Sequence, residues 1–163
     1  NTAIPFSLDI FSGDVEQRLD NLAQRVIESD NIIFTGVGSS GLICDYAARR
    51  LAGVGINTFS FSDVTYPIAS KLQNTTNTLV IALSISGETN EIIEVLTSLR
   101  SNKDVYISSI TPKINSSIAE LSDFVLTYRI NEHRINTHYD LTSQLPTVYL
   151  TERLTDLVYQ RSH

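Results

Sequence analysis

The run Thr78-Leu-Val-Ile-Ala-Leu-Ser84 constrains this chain more than any other segment, because it is apolar almost without interruption. A strand with one face in water alternates polar and apolar residues, whereas an unbroken run belongs to a strand covered on both faces. At about seven residues it falls far short of the ~20 a membrane helix needs, so the covering layers must come from helices of the same chain. Four further segments, 31–35, 56–61, 105–110 and 124–128, read as short strands of the same kind. Between them the period changes to that of a helix. Val15, Leu19, Leu22, Val26 and Ile27 form one apolar face, with Ser12 or Asp14 placed to cap it. Leu42, Ile43, Ala47 and Leu51 form a second face, starting from Ser40 and closed by Gly53 and Gly55. Ile92, Ile93, Leu96 and Leu99 form a third. A short helix is expected over 116–121, and a short helix or turn over 63–72 around Pro67. A last helix carries Leu145, Val148, Tyr149, Glu152, Leu154 and Leu157, with Pro146 in its first turn, where proline is tolerated. Residues 130–140 are polar and read as irregular.

Strands that alternate with helices pair in parallel through right-handed crossovers. The expected fold class is therefore α/β: a three-layer αβα sandwich around a five-stranded parallel sheet in the flavodoxin-like order 2-1-3-4-5. A length of 163 residues matches the usual ~150 per domain, and no linker or repeat divides the chain, so 1–163 is read as a single domain.

In such sheets ligands bind beyond the carboxyl ends of the strands, where the strand order reverses. That point lies between the first and third strands, and the two loops that leave those strands are the most polar glycine-containing ones. The first is Thr35-Gly-Val-Gly-Ser-Ser-Gly41, the second Ser84-Ile-Ser-Gly-Glu-Thr89. Both run into helices, so each offers free N–H groups and a positive dipole end to an anion. Ser39, Ser40, Ser84, Ser86 and Thr89 add hydroxyls. A glycine turn with a serine cap is also ordinary helix initiation, but two such loops at the two appropriate strand ends point to an anion site. Gly36, Gly38 and Gly41 also satisfy the dinucleotide fingerprint G-x-G-x-x-G. That reading wants an acid closing the second strand, and Asp63 falls just past it.

Charge narrows the partners. Twelve Lys+Arg against eighteen Asp+Glu leave a net charge of −6, and only Lys71, Lys103 and Lys113 are lysines. Nothing offers the basic stripe that a nucleic-acid backbone requires, so DNA and RNA are not expected to bind this chain alone. A phosphate at the two loops would be neutralised by helix ends and hydroxyls rather than by salt bridges. The single cysteine, Cys44, excludes an internal disulfide and a cysteine-rich zinc site; no metal and no cofactor is expected, and a reducing cytoplasm is the expected compartment. Neither a membrane span nor a secretory leader is recognisable. The chain starts at Asn1 and contains no methionine, which raises the expectation that the native protein is longer.

Gly-Val-Gly-Ser-Ser-Gly after a first strand and Ser-Ile-Ser-Gly-Glu-Thr after a third resemble the sugar isomerase (SIS) domain, over about residues 14–160. Four segments resemble the effector domain of RpiR-type transcriptional regulators in particular: Ile33-Phe-Thr-Gly-Val-Gly-Ser-Ser-Gly-Leu42, Phe61-Ser-Asp63, Ile81-Ala-Leu-Ser-Ile-Ser-Gly-Glu-Thr-Asn-Glu-Ile-Ile-Glu94 and Ala119-Glu-Leu-Ser-Asp123. The resemblance implies a sensor that binds a sugar phosphate without catalysis, with DNA bound only through an N-terminal helix-turn-helix domain absent from this chain. It implies that Gly38, Ser39 and Ser40 contact the sugar, and that Ser84, Ser86, Gly87 and Thr89 cradle the phosphate. Thr142 and Ser143, opening the last helix, would supply a further hydroxyl. Passing a signal to paired DNA-binding domains needs a two-fold assembly, so a homodimer or higher oligomer is expected, through surplus apolar positions on the first and last helices.

The alternative is a stand-alone phosphosugar aldose–ketose isomerase, which needs a base beside the reacting carbonyl. Glu88, Glu91, Glu94, Glu152, His133 and His138 are the available groups. Glu88 reads instead as a partner for the dipole of its own helix, Glu91 and Glu94 as solvated helix residues, and the histidines as exposed loop residues. No acid and base in opposed environments stand out. Cys44 reads as core rather than nucleophile.

Overall fold

The computed structural model describes residues 6–163. Five strands, β1 (Asn31–Thr35), β2 (Thr58–Phe61), β3 (Thr78–Leu83), β4 (Val105–Ile110) and β5 (Phe124–Leu126), form one parallel sheet in the order β2-β1-β3-β4-β5. The helices are α1 (Val15–Glu28), α2 (Gly38–Gly53), α3 (Ile68–Lys71), α4 (Asn90–Leu99), α5 (Ser117–Glu120) and α6 (Leu145–Ser162), and a single 3-10 turn covers Leu8–Ile10. The expected fold class and strand order are both present.

Strand side chains point alternately to the two faces, and this sorts the core into two layers. Ile32 and Phe34 of β1, with Leu79, Ile81 and Leu83 of β3, pack under α1, α2 and α6. Ile33, Val80, Ala82 and Ile107 point the other way, under α3, α4 and the Ile118 side chain of α5. All six residues of β3 are buried, as an uninterrupted apolar run at the centre of a sheet requires.

The outer strands are shorter than their sequence pattern suggests. β2 pairs with β1 only from Thr58 onward, so Ile56 and Asn57 precede the ladder; β5 pairs with β4 over Phe124 to Leu126 and the chain then leaves the sheet. The segment over 63–72 is mostly turn, with Pro67 just ahead of the one-turn α3. Helix α2 starts at Gly38, two residues before Ser40, and ends where Gly55 takes a φ of 94°. The segment over 130–140, expected to be irregular, contains a two-stranded antiparallel hairpin, β6 (Arg134–Asn136) and β7 (Tyr139–Asp140).

Most of the apolar surplus of the first and last helices is consumed inside the chain, although Leu145 and Tyr159 of α6 stay exposed. Leu19, Leu22, Ala23 and Val26 of α1 and Leu150, Leu154, Leu157 and Val158 of α6 share one buried cluster. Ion pairs Arg153–Glu16 (2.9 Å) and Arg161–Asp20 (2.6 Å) edge the contact between the two helices. Cys44 lies in the same cluster at 1% exposure, and burial pushes its thiol pKa well up. No helix among the described residues is long and apolar enough to cross a membrane.

Candidate functional site

A cleft of about 860 Å³ opens at the carboxyl ends of β1 and β3. Its first wall is the β1–α2 turn. Gly36 lets that turn lie flat on the sheet: a Cβ there would sit 3.0 Å from Cys44 Sγ and 3.2 Å from the Leu83 carbonyl oxygen. Helix α2 has no side-chain cap and no acid in its first turn, so its leading N–H groups lack intrahelical acceptors and face the cleft. Gly38, Ser39 and Ser40 all line it. Ser39 is exposed, whereas Ser40 is 8% exposed and its hydroxyl accepts a 3.2 Å hydrogen bond from the Gln144 side-chain amide.

The second wall is the β3–α4 turn, which is built differently. Ser84 is buried; its Oγ accepts the Gly87 N–H at 2.9 Å and shares a 2.8 Å hydrogen bond with the Thr89 hydroxyl. The Ser86 Oγ accepts the Glu88 N–H at 3.0 Å. Gly87 has a φ of 70°, and a Cβ on it would lie 2.3 Å from Ser116. That close approach lets α5 dock: its Ile118 N–H donates to the Gly87 carbonyl at 3.0 Å. The Glu88 carboxylate then accepts the Ser117 hydroxyl at 2.6 Å and the Ser117 N–H at 2.9 Å, which holds its pKa below the usual glutamate value. Glu88 therefore caps α5 rather than acting on its own helix, the role its position in the sequence suggested. Ser86 and Thr89 line the cleft, while Ser84 and Gly87 are not among the lining residues and hold the turn from behind.

The hairpin and the residues that follow it make the third wall, with Arg134, His138, Asp140, Thr142 and Gln144. Burial works against the Asp140 carboxylate, but hydrogen bonds from the Thr142 hydroxyl (2.6 Å) and N–H (2.9 Å) outweigh it. With Arg134 and His133 nearby, they hold the Asp140 pKa below its ordinary value. Arg134 donates to Asp140 at 3.2 Å. A guanidinium thus stands in a site where hydroxyls and helix ends alone were expected. Ser143 is exposed, its Oγ accepts the Leu145 N–H at 3.1 Å, and it does not line the cleft; Thr142, 6% exposed, does. Arg134, Asp140 and Gln144 were not singled out from the sequence, where isolated polar residues in a non-periodic stretch carry no spacing signal.

Of the possible acid–base groups, Glu91 and His138 line the cleft together with Glu88. Glu94 and His133 do not, and Glu152 accepts a 2.6 Å hydrogen bond from the Tyr46 hydroxyl. Asp63 spends its carboxylate on Thr65, at 2.9 Å from the amide and 2.7 Å from the hydroxyl, and lies outside the cleft, so the dinucleotide reading has no ribose partner there. Among the described residues no group of three His, Cys, Asp or Glu side chains is placed to hold a metal. The wall as a whole offers two helix amino termini, several hydroxyls and one cation, a combination suited to a polyhydroxylated anion.

The SIS domain family model matches residues 26–151. An uncharacterised HTH-type transcriptional regulator of Clostridium perfringens is 26% identical over 159 residues, covering 94% of this chain and 56% of the regulator. A 3-hexulose-6-phosphate isomerase of Bacillus subtilis is 28% identical over 110 residues, covering 68% of this chain and 56% of the isomerase. The solved structure of the Vibrio vulnificus NanR protein complexed with ManNAc-6P superposes with a TM-score of 0.75 at 24% identity, covering 90% of this chain and 55% of that one. The chain spans about half the length of the curated relatives it matches.

Proposed function

This chain belongs to the SIS domain family, and on that premise we propose that it is, over 1–163, a phosphosugar-sensing effector domain of an RpiR-type transcriptional regulator, without catalysis of its own. The observation that carries the proposal is the meeting of the two serine-containing turns in one cleft. The phosphate sits at the amino terminus of α4, on the Ser86 and Thr89 hydroxyls, with Ser84 and Gly87 setting the shape of the cradle. The sugar faces Gly38, Ser39 and Ser40, with Thr142 across the cleft; Ser143, expected to add a hydroxyl, has no part in this reading. DNA is bound through a domain outside this chain, the protein works in the cytoplasm, and no cofactor or metal takes part.

A thermal-shift screen of hexose and amino-sugar phosphates, including ManNAc-6P, tests this on wild type and Ser86→Ala. A hydrogen bond to a charged group is worth about 1.5–3 kcal/mol, so the variant should bind the best ligand roughly ten- to a hundredfold more weakly. If no phosphosugar stabilises the protein, or one stabilises both forms equally, the site is wrong.

One observation supports an isomerase as the second reading: Glu91 and His138 line the same cleft, as a base and its partner would need to. Aldose and ketose phosphates that interconvert, with turnover abolished by Glu91→Gln or His138→Gln, would establish it. The expected result is no interconversion. A second copy of the chain is proposed to cover Leu42 and Leu145, which are 69% and 54% exposed, together with Tyr139 of the cleft wall and the exposed Ile135 and Leu141. A clean monomer in sedimentation at micromolar concentration would count against that assembly.

A further inference from the structure

An amino-terminal strap and the third wall of the cleft share one short piece of backbone. Within the strap, residues 6–11, Phe11 stacks on Tyr149 with ring centroids 5.2 Å apart and meets Tyr128 edge-on at 6.4 Å, and Phe6 packs on Tyr149 at 5.5 Å. The Arg129 N–H donates to the Ile10 carbonyl at 2.9 Å, and its guanidinium donates to the Asp9 carbonyl. Three residues later Glu132 pairs with Lys113, and the His133 N–H donates to the Thr142 hydroxyl at 2.7 Å. The hairpin begins at the next residue. Its other root is tied through Gln144 to Ser40 of α2.

Every residue over 131–139 is exposed, so the hairpin has no core of its own and its two roots set its position. The strap contributes nothing to the cleft lining; it acts only through the root it holds.

We infer that occupancy of the cleft and docking of the strap are coupled through residues 128–133, so that the state of the cleft is read out at the amino-terminal segment. A ligand that engages Arg134, Thr142 and Ser40 holds the hairpin, and the held hairpin keeps Tyr128 and Arg129 against the strap. The inference takes the phosphosugar reading for the identity of the ligand, whereas the link between strap and hairpin stands without it. Coupling is reciprocal: the factor by which the ligand strengthens strap docking is the factor by which the docked strap strengthens ligand binding.

Amide hydrogen exchange on the whole chain tests both halves. Without ligand, Phe6→Ala should speed exchange roughly tenfold at the Arg129 amide and also at the His133 and Leu141 amides of the hairpin, leaving β3 unchanged. Arg129→Ala removes the guanidinium bond without touching a buried aromatic and should act in the same direction. Phe59→Ala, which removes an aromatic contact on the far side of the sheet, should leave the hairpin amides alone. A freed Arg129 beside unchanged His133 and Leu141 overturns the coupling. With ManNAc-6P, or whichever phosphosugar of the panel binds best, Arg129 exchange should slow by the factor that Phe6→Ala costs in affinity. Normal binding that changes neither quantity also overturns it. Failure of every phosphosugar to bind, with the ligand-free changes present, overturns the ligand reading and leaves the strap–hairpin link established.

Discussion

The two turns that bound the cleft draw on the same residue types for opposite purposes. In the β3–α4 turn the polar groups are largely spent on one another: Ser84 on Gly87 and Thr89, Ser86 on Glu88, and Glu88 on Ser117 of a neighbouring helix. In the β1–α2 turn Ser40 has one bond, to Gln144, and Ser39 is exposed. A turn whose donors satisfy each other keeps its shape whether or not a ligand is present. A turn whose donors are unspent presents them to whatever enters. Serines next to glycines are therefore not one signal: Ser84 holds its turn from behind, while Ser39, Ser40 and Ser86 line the cleft.

The sharpest way to break this contrast is to add a methyl group to each turn. Gly87→Ala meets both a positive φ and a Ser116 side chain 2.3 Å away, and should cost about 3 kcal/mol or more in urea denaturation. Gly38→Ala has only the φ of 60°, with nothing within 4 Å, and should cost about 1–2 kcal/mol. Equal losses would mean that the two turns are equally constrained. Ser84→Ala, which strands the Gly87 N–H away from water, should cost about 1–3 kcal/mol. Ser39→Ala should change stability by less than about 0.5 kcal/mol while weakening phosphosugar binding; a stability loss like that of Ser84 would erase the distinction.

The smallest effect concerns pH. The Glu88 pKa is depressed in the folded state, so its contribution is complete above the ordinary glutamate range and is lost as pH falls through the folded value. The stability gap between wild type and Glu88→Gln should hold steady from neutral pH and narrow below about pH 4. A gap that widens on acidification would show that Glu88 does not cap α5 as an anion.

The central sheet was legible because burial on both faces leaves an unmistakable pattern: β1 and β4 fall on the expected residues, and β3 differs only by Ser84. The two turns were legible for a related reason, since strand order fixes where ligands approach. The hairpin was not, because a ribbon exposed along its length has no buried face to impose a period on Arg134 or Asp140. Burial of Thr142 and exposure of Ser143 depend on how the chain leaves the hairpin before α6 starts, which adjacent hydroxyls in sequence do not reveal. Most of the extra apolar residues of α1 and α6, which read as surface for a partner, pack against each other in one buried cluster, while Leu145 and Tyr159 of α6 stay exposed.

Cys44 is the only sulfur atom in the chain, and it lies beneath the β1–α2 turn at 1% exposure with its Sγ against Gly36. A thiol held neutral and shielded from solvent does not attack a disulfide reagent. Labelling can proceed only when the packing around Cys44 opens, so its rate is a clock on that local opening, which belongs to the same family of motions that amide exchange detects. The protein thus carries a single-site chemical timer under one wall of its cleft, and a ligand that clamps this wall should slow it without any engineered probe.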